Sequence, residues 1–151
     1  RRKWTWFETI TITILMTFVP YAFASVGGSN KKVVGAVEVI GILLYLSGSY
    51  INIHSEYYRH VWKLKEENWG QLYTEGLFSL SMHINYFGDI VLFTGFAMVT
   101  HSLSMLVIPL VMAVNFVFNI IPSLDRYLEK KYKDEFRDYS KKTKKFIPLI
   151  Y

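Results

Sequence analysis

Two short polar stretches stand hard against long apolar runs: NIHSEYYRHVWK at 52–63 and SMHINYFGD at 81–89. In the first, Asn52, Glu56, Arg59 or His60, and Lys63 follow at spacings of 3 and 4, which places them on one side of a helix. An amide, a carboxylate and cations on one face can hold a carboxamide, a ribose hydroxyl and phosphates at once. A solvated helix end whose charges pair with each other would show the same spacing. In the second stretch Asn85 and Asp89 lie one helical turn apart, and Asp89 enters an apolar run. An ionisable group there is costly unless it faces a cavity or a partner. Alternatively, Asn85 caps a helix and Asp89 sits near the positive end of that helix.

Other chemistries lack their residues. The chain has no cysteine, which removes thiolate and disulfide chemistry. His54 and His60 are six apart and fall on different faces of a helix, and no HExxH pair exists, so no metal site is expected. There is no GxSxG, P-loop or GxGxxG.

The elements that must position these residues are apolar blocks. Of 151 residues, 52% are hydrophobic and only 19% charged, and the apolar residues come in long runs rather than amphipathic stripes. A bilayer is the solvent that suits such runs. The pattern predicts an all-α membrane bundle with about four spans, at 4–26, 33–52, 86–100 and 104–121, and a C-terminal amphipathic helix at 123–140. Trp4 and Trp6 would anchor the first span at the interface, and Pro20 would kink it. Gly35, Gly41, Ser47 and Gly48 would let the second pack closely on a neighbour. Glu38, in the middle of that span, is expected to be protonated and hydrogen-bonded to a neighbouring helix. The third span is short and would begin within SLSMH or tilt, and Pro122 would end the fourth. The apolar run after RRK is too long for a signal peptide.

The net charge is +5, with Lys and Arg gathered at the start, at 59–65 and at 126–145. The positive-inside bias puts both termini and the 53–84 connection on the cytoplasmic side, with Lys31 and Lys32 opposing. Both polar clusters and the tail then meet at one membrane face. In the tail, Leu124, Leu128, Tyr132, Phe136 and Tyr139 form one apolar face, which suits a helix lying on anionic headgroups. Because the first residue is Arg, the chain is expected to be the C-terminal part of a longer one, folded as a single membrane domain over 1–151.

INIHSEYYRHVWK, then GLFSLSMHINYFGD, then YKDEFRDYSKKTKKFIPLIY, taken in order, resemble the C-terminal half of the steroid 5α-reductase family from about residue 45 onward. The chain also resembles related microbial membrane proteins without an assigned substrate. The resemblance implies a multi-pass enzyme using NADPH to reduce a C=C bond conjugated to a carbonyl in a hydrophobic, steroid- or lipid-like substrate. It implies that Asn52 and Glu56 contact the nucleotide, that Lys63 serves the phosphates, and that Asn85 and Asp89 line the nicotinamide end. Asp125 and Tyr132 match positions that sterol-reductase relatives use at the cofactor. Glu56 stands where Asp is common, Asp89 where Glu is common, and Lys63 replaces Arg without its bidentate fork. No catalytic acid is assigned, since the family's ketone-binding Glu and Tyr lie in an N-terminal half that this chain largely lacks. The location implied is the endoplasmic reticulum in a eukaryote or the inner membrane in a bacterium, with the cofactor site facing the cytoplasm. The partners implied are a hydrophobic small molecule and membrane lipid, without nucleic acid. The alternatives are an S-adenosylmethionine-dependent methyltransferase of the isoprenylcysteine carboxyl methyltransferase type, whose RHPxY element is MHINY here, and a non-catalytic membrane protein.

Overall fold

The computed structural model describes residues 6–29 and 33–151, with side chains from residue 17 onward. Trp4, Lys31 and Lys32 lie outside the described residues, as does the side chain of Trp6. The helices are α1 (Trp6–Gly28), α2 (Ala36–Leu64), α3 (Ile84–Val99), α4 (Val107–Asn115), α5 (Ile121–Tyr132) and α6 (Asp134–Lys142). Among the described residues there is no strand, and an isolated bridge joins Ser81 to Lys144. The architecture is the expected all-α membrane bundle.

Two of the described helical stretches, Ala36–Leu64 and Leu103–Tyr132, are long and apolar enough to cross a membrane. The first has 29 residues. A crossing uses about 20 of them, so the apolar part ends near Ser55 and the next turns carry Glu56, Arg59 and Lys63 beyond it. The 16 residues of α3 span about 24 Å, short of the roughly 30 Å hydrocarbon core. α1 continues through Pro20 as one helix of 23 residues, and its Phe23 stacks on Phe96 of α3 with centroids 4.6 Å apart.

The joint between α2 and α3 is built from glycine. Gly41 and Gly48 are seven residues apart, as are Gly88 and Gly95, and two helical turns bring each pair onto one face. A Cβ on Gly41 would come 2.9 Å from the Gly95 carbonyl oxygen, and one on Gly88 would come 2.9 Å from the Asn52 nitrogen. The helices run antiparallel with backbones in contact, as small residues permit in a membrane. Gly35 has another role, as the cap residue before α2, and Ser47 is exposed with its hydroxyl turned to the Leu44 carbonyl.

Three expectations are corrected. Glu38 is not in mid-span but in the first turn of α2. Its Oε2 accepts the Gly35 N–H at 2.5 Å, and Oε1 lies 2.9 Å from His101 Nε2 in the connection after α3. A carboxylate at a helix start meets unpaired N–H groups, which explains its burial there. Pro122 does not end the fourth span. A widened turn at Phe116–Ile120, closed by the Ile121 N–H on the Phe116 carbonyl, absorbs the proline, and α5 continues to Tyr132. The tail is two helices rather than one, broken at Lys133, whose φ is 48°.

The apolar face of the tail turns into the protein, not onto headgroups. Tyr132, Phe136 and Tyr139 are buried in a cluster with Leu72 and Met82, and Leu128 packs against it. The Tyr139 hydroxyl donates to the Phe78 carbonyl at 2.5 Å, and burial holds its phenol above the ordinary tyrosine range. The segment after α6 is tied to the foot of α3: the Met82 N–H donates to the Lys144 carbonyl at 2.8 Å and that of His83 to Lys145 at 3.1 Å. The late turns of α2, the start of α3 and the tail therefore meet at one end of the bundle.

Candidate functional site

At that end a recess of about 230 Å³ opens between α2, the 72–83 connection, α3 and the tail. Arg59 and Lys63 line it from α2, and Asn85 and Tyr86 from α3. Phe78, His83 and Tyr139 also belong to the wall. Its volume is below the roughly 300–1,000 Å³ of a pocket for a drug-sized ligand, so it has room for only part of a larger molecule.

The expected residues of α2 and α3 come together. The Asn52 amide donates to Asp89 Oδ1 at 2.6 Å and to the Asn85 carbonyl at 3.2 Å, bridging the two helices. Gly48 and Gly88 lie beside this bridge, so close backbone approach is what lets so short a side chain reach. Asn85 lies inside α3, which is preceded by His83, so it is not the cap considered above. Glu56 is one turn beyond Asn52 and pairs with Arg59. Its other oxygen, Oε1, is buried with no hydrogen-bond partner among the described residues. Buried oxygens are usually satisfied, and an orphan of this kind calls for an explanation.

Arg59 also lies over the Phe78 ring, 5.4 Å from its centroid, so two contacts hold the guanidinium at the recess. Lys63 follows one turn later on the same wall and makes no ion pair among the described residues. Two cations one turn apart repel, and the arrangement suits an anion placed between them.

Asp125 and Tyr132 are not brought into the recess. Asp125 accepts from Lys145 Nζ at 3.1 Å and sits 2.8 Å from His83 Nε2, so it fixes the tail and the His83 ring. Tyr132 belongs to the hydrophobic cluster because the apolar face of α5 turns inward. Asn52, Glu56 and Asp89 lie along the α2–α3 joint and are not part of the recess wall itself. Sequence reasoning left out Tyr73, Phe78, His83, Tyr86 and Tyr139 from the site. His83 and Tyr86 flank Asn85, and their rings stack with centroids 5.8 Å apart. The polar interruption at MHINY was the available signal for them.

Residues 3–143 match the family described as "Protein of unknown function (DUF1295)". The match takes in α1 and the first half of α2, well upstream of residue 45. Among curated proteins the chain is similar to 3-oxo-5-alpha-steroid 4-dehydrogenase 1 of Rattus norvegicus, 31% identical over 110 residues, covering 73% of this chain and 40% of that protein. It is also similar to steroid 5-alpha-reductase DET2 of Arabidopsis thaliana, 33% identical over 115 residues, covering 75% of this chain and 42% of that protein. The chain thus spans about two fifths of the length of these relatives. The match over residues 3–143 shows that the chain belongs to the DUF1295 family, which is steroid 5-alpha-reductase-like.

Proposed function

We propose that this protein serves an NADPH-dependent, membrane-embedded reduction of a C=C bond conjugated to a carbonyl in a hydrophobic substrate. The observation that carries the reading is the gathering of Arg59, Lys63 and Asn85 on one recess, with the unpartnered Glu56 Oε1 just outside its wall on the carboxylate that pairs with Arg59. The donor set suits a nicotinamide dinucleotide. Lys63 and Arg59 would neutralise its phosphates, with Arg59 able to offer a fork of N–H donors. Glu56 Oε1 would accept from a ribose hydroxyl, and Asn85 would meet the carboxamide with both a donor and an acceptor.

When bound, such a cofactor supplies the hydride, and the protein supplies orientation and electrostatics. Asn52 and Asp89 act as the brace that keeps Asn85 in register with α2. The apolar faces of the helices offer a lipid-like substrate a route from the bilayer, and the net reaction adds hydride at the β-carbon and a proton at the α-carbon. The basic end would face the cytoplasm, in the endoplasmic reticulum or a bacterial inner membrane, as the charge bias favours.

Thermal unfolding of the detergent-purified chain with NADPH, NADH and S-adenosylmethionine tests this. A ligand that binds only the folded state, at 100 times its Kd, adds about 2.7 kcal/mol. Stabilisation by NADPH is the expected result. Stabilisation by S-adenosylmethionine alone would make the protein a methyltransferase, and no response to any of the three would favour a non-catalytic membrane role.

A further inference from the structure

A second feature at the same end lies outside the recess. Residues 126–145 hold nine Lys and Arg against four Asp and Glu, a surplus of five that equals the net charge of the whole chain. The carboxylates near these cations are already engaged: Asp125 with His83 and Lys145, Glu129 and Asp134 with Arg137, and Asp138 with Lys141. Glu135 accepts the Leu72 N–H. Lys142 and Lys144 are exposed and make no ion pair among the described residues.

Lys142 and Lys144 line a groove of about 540 Å³ with Ser140 and Thr143, over apolar surface from Phe136 and Ile150. Immediately past them Leu149 and Ile150 are 81% and 74% exposed. The backbone bonds from 82–83 to 144–145 hold this segment at the foot of α3, where the apolar helix begins. Cations and hydroxyls above exposed aliphatic side chains, at the level where spans leave the bilayer, match an amphiphile with an anionic head. A soluble anion would leave Leu149 and Ile150 without apolar cover.

We propose that the groove between α6 and the 144–151 segment binds the phosphate-bearing headgroup of an anionic membrane phospholipid. Lys142 and Lys144 neutralise the phosphate, the Thr143 hydroxyl donates to one of its oxygens, and Leu149 and Ile150 lie against the upper acyl chains. The tail is thereby fixed to the bilayer by its cations, while its aromatic face serves the protein core.

The test uses the full chain in detergent micelles and native mass spectrometry with phosphatidylglycerol or phosphatidylcholine. Phosphatidylglycerol is expected to be retained and phosphatidylcholine lost. The K142Q/K144Q double substitution is expected to weaken phosphatidylglycerol binding by roughly 30-fold, about fivefold per lysine. The substitution K130Q/K133Q removes the same charge from the other side of the tail and is expected to change binding by less than about fivefold. Circular dichroism of each variant confirms that it is folded. Equal retention of both lipids, an equal loss from K130Q/K133Q, or displacement of the lipid by millimolar inorganic phosphate would each overturn the proposal. The last of these would identify the groove as a free-anion site.

Discussion

Gly48→Ala is a demanding test of how the site is assembled. A Cβ at 48 would sit 2.6 Å from the Gly88 carbonyl oxygen and 2.8 Å from Leu92 Cα, where ordinary contact begins at 3.4 Å. These obstacles and the Leu92 nitrogen, which lies closer still, are all backbone, so no side-chain rotation relieves them, and α2 and α3 must part by about 1 Å. Overpacking of this kind costs about 1–3 kcal/mol, and a gap of that width forfeits a quarter to a half of the local dispersion attraction. The Asn52–Asp89 bond, at 2.6 Å and one turn away, would lengthen and lose about 1 kcal/mol. Alanine recovers about 1 kcal/mol of helix propensity, leaving a net destabilisation of about 1–3 kcal/mol. The assay is thermal unfolding in mild detergent followed by circular dichroism, with Gly28→Ala as control, since a Cβ at Gly28 meets nothing within 4 Å. A lowered midpoint and weakened NADPH stabilisation are expected for Gly48→Ala, and neither for Gly28→Ala. A Gly48→Ala protein as stable as the wild type would refute the reasoning that backbone contact at the joint sets the site.

Other outcomes follow from the same geometry. Asn52→Ala leaves Asp89 without its amide donor and should cost about 1–3 kcal/mol, and Asn52→Ala/Asp89→Leu should recover part of that loss in the same unfolding assay. Tyr139→Phe leaves the Phe78 carbonyl unpaired and should cost about 1–2 kcal/mol. Burial raises the folded-state pKa of Tyr139 above its usual 10.0. Stability from that group is complete below about pH 10 and is lost as pH rises further, and Tyr139→Phe should flatten this alkaline fall in a pH series of unfolding midpoints. Glu38→Ala removes both the Gly35 contact and the His101 pair at the far end and should cost about 1–3 kcal/mol with NADPH affinity unchanged by titration.

What was legible in the sequence was local periodicity and charge. The spacing of Asn52, Glu56 and Lys63 located one helix face correctly, because α2 continues unbroken to Leu64. Gly41 and Gly48 announced the tight joint because seven residues return to the same face. What was not legible depends on partners distant in the chain. Asp125 could have met a ligand by its type, and only the fold shows it engaged by His83 and Lys145. The tail's aromatic face suited lipid equally well until Leu72 and Met82 were seen to cover it. Pro122 obeyed its usual rule only in part, because a widened turn upstream supplied the room it needs.

The most direct measurement of the central claim is the NADPH dissociation constant of wild type, Glu56→Gln and Asn85→Ala, with Glu38→Gln as a control remote from the recess. Loss of a hydrogen bond to a charged group costs about 1.5–3 kcal/mol and of a neutral one about 0.5–1.5 kcal/mol, so Glu56→Gln should bind about ten- to hundredfold and Asn85→Ala about two- to tenfold more weakly, and the control as well as wild type. Unchanged affinity in both site variants, with the proteins folded, would contradict the placement of the nucleotide at this end of α2 and α3.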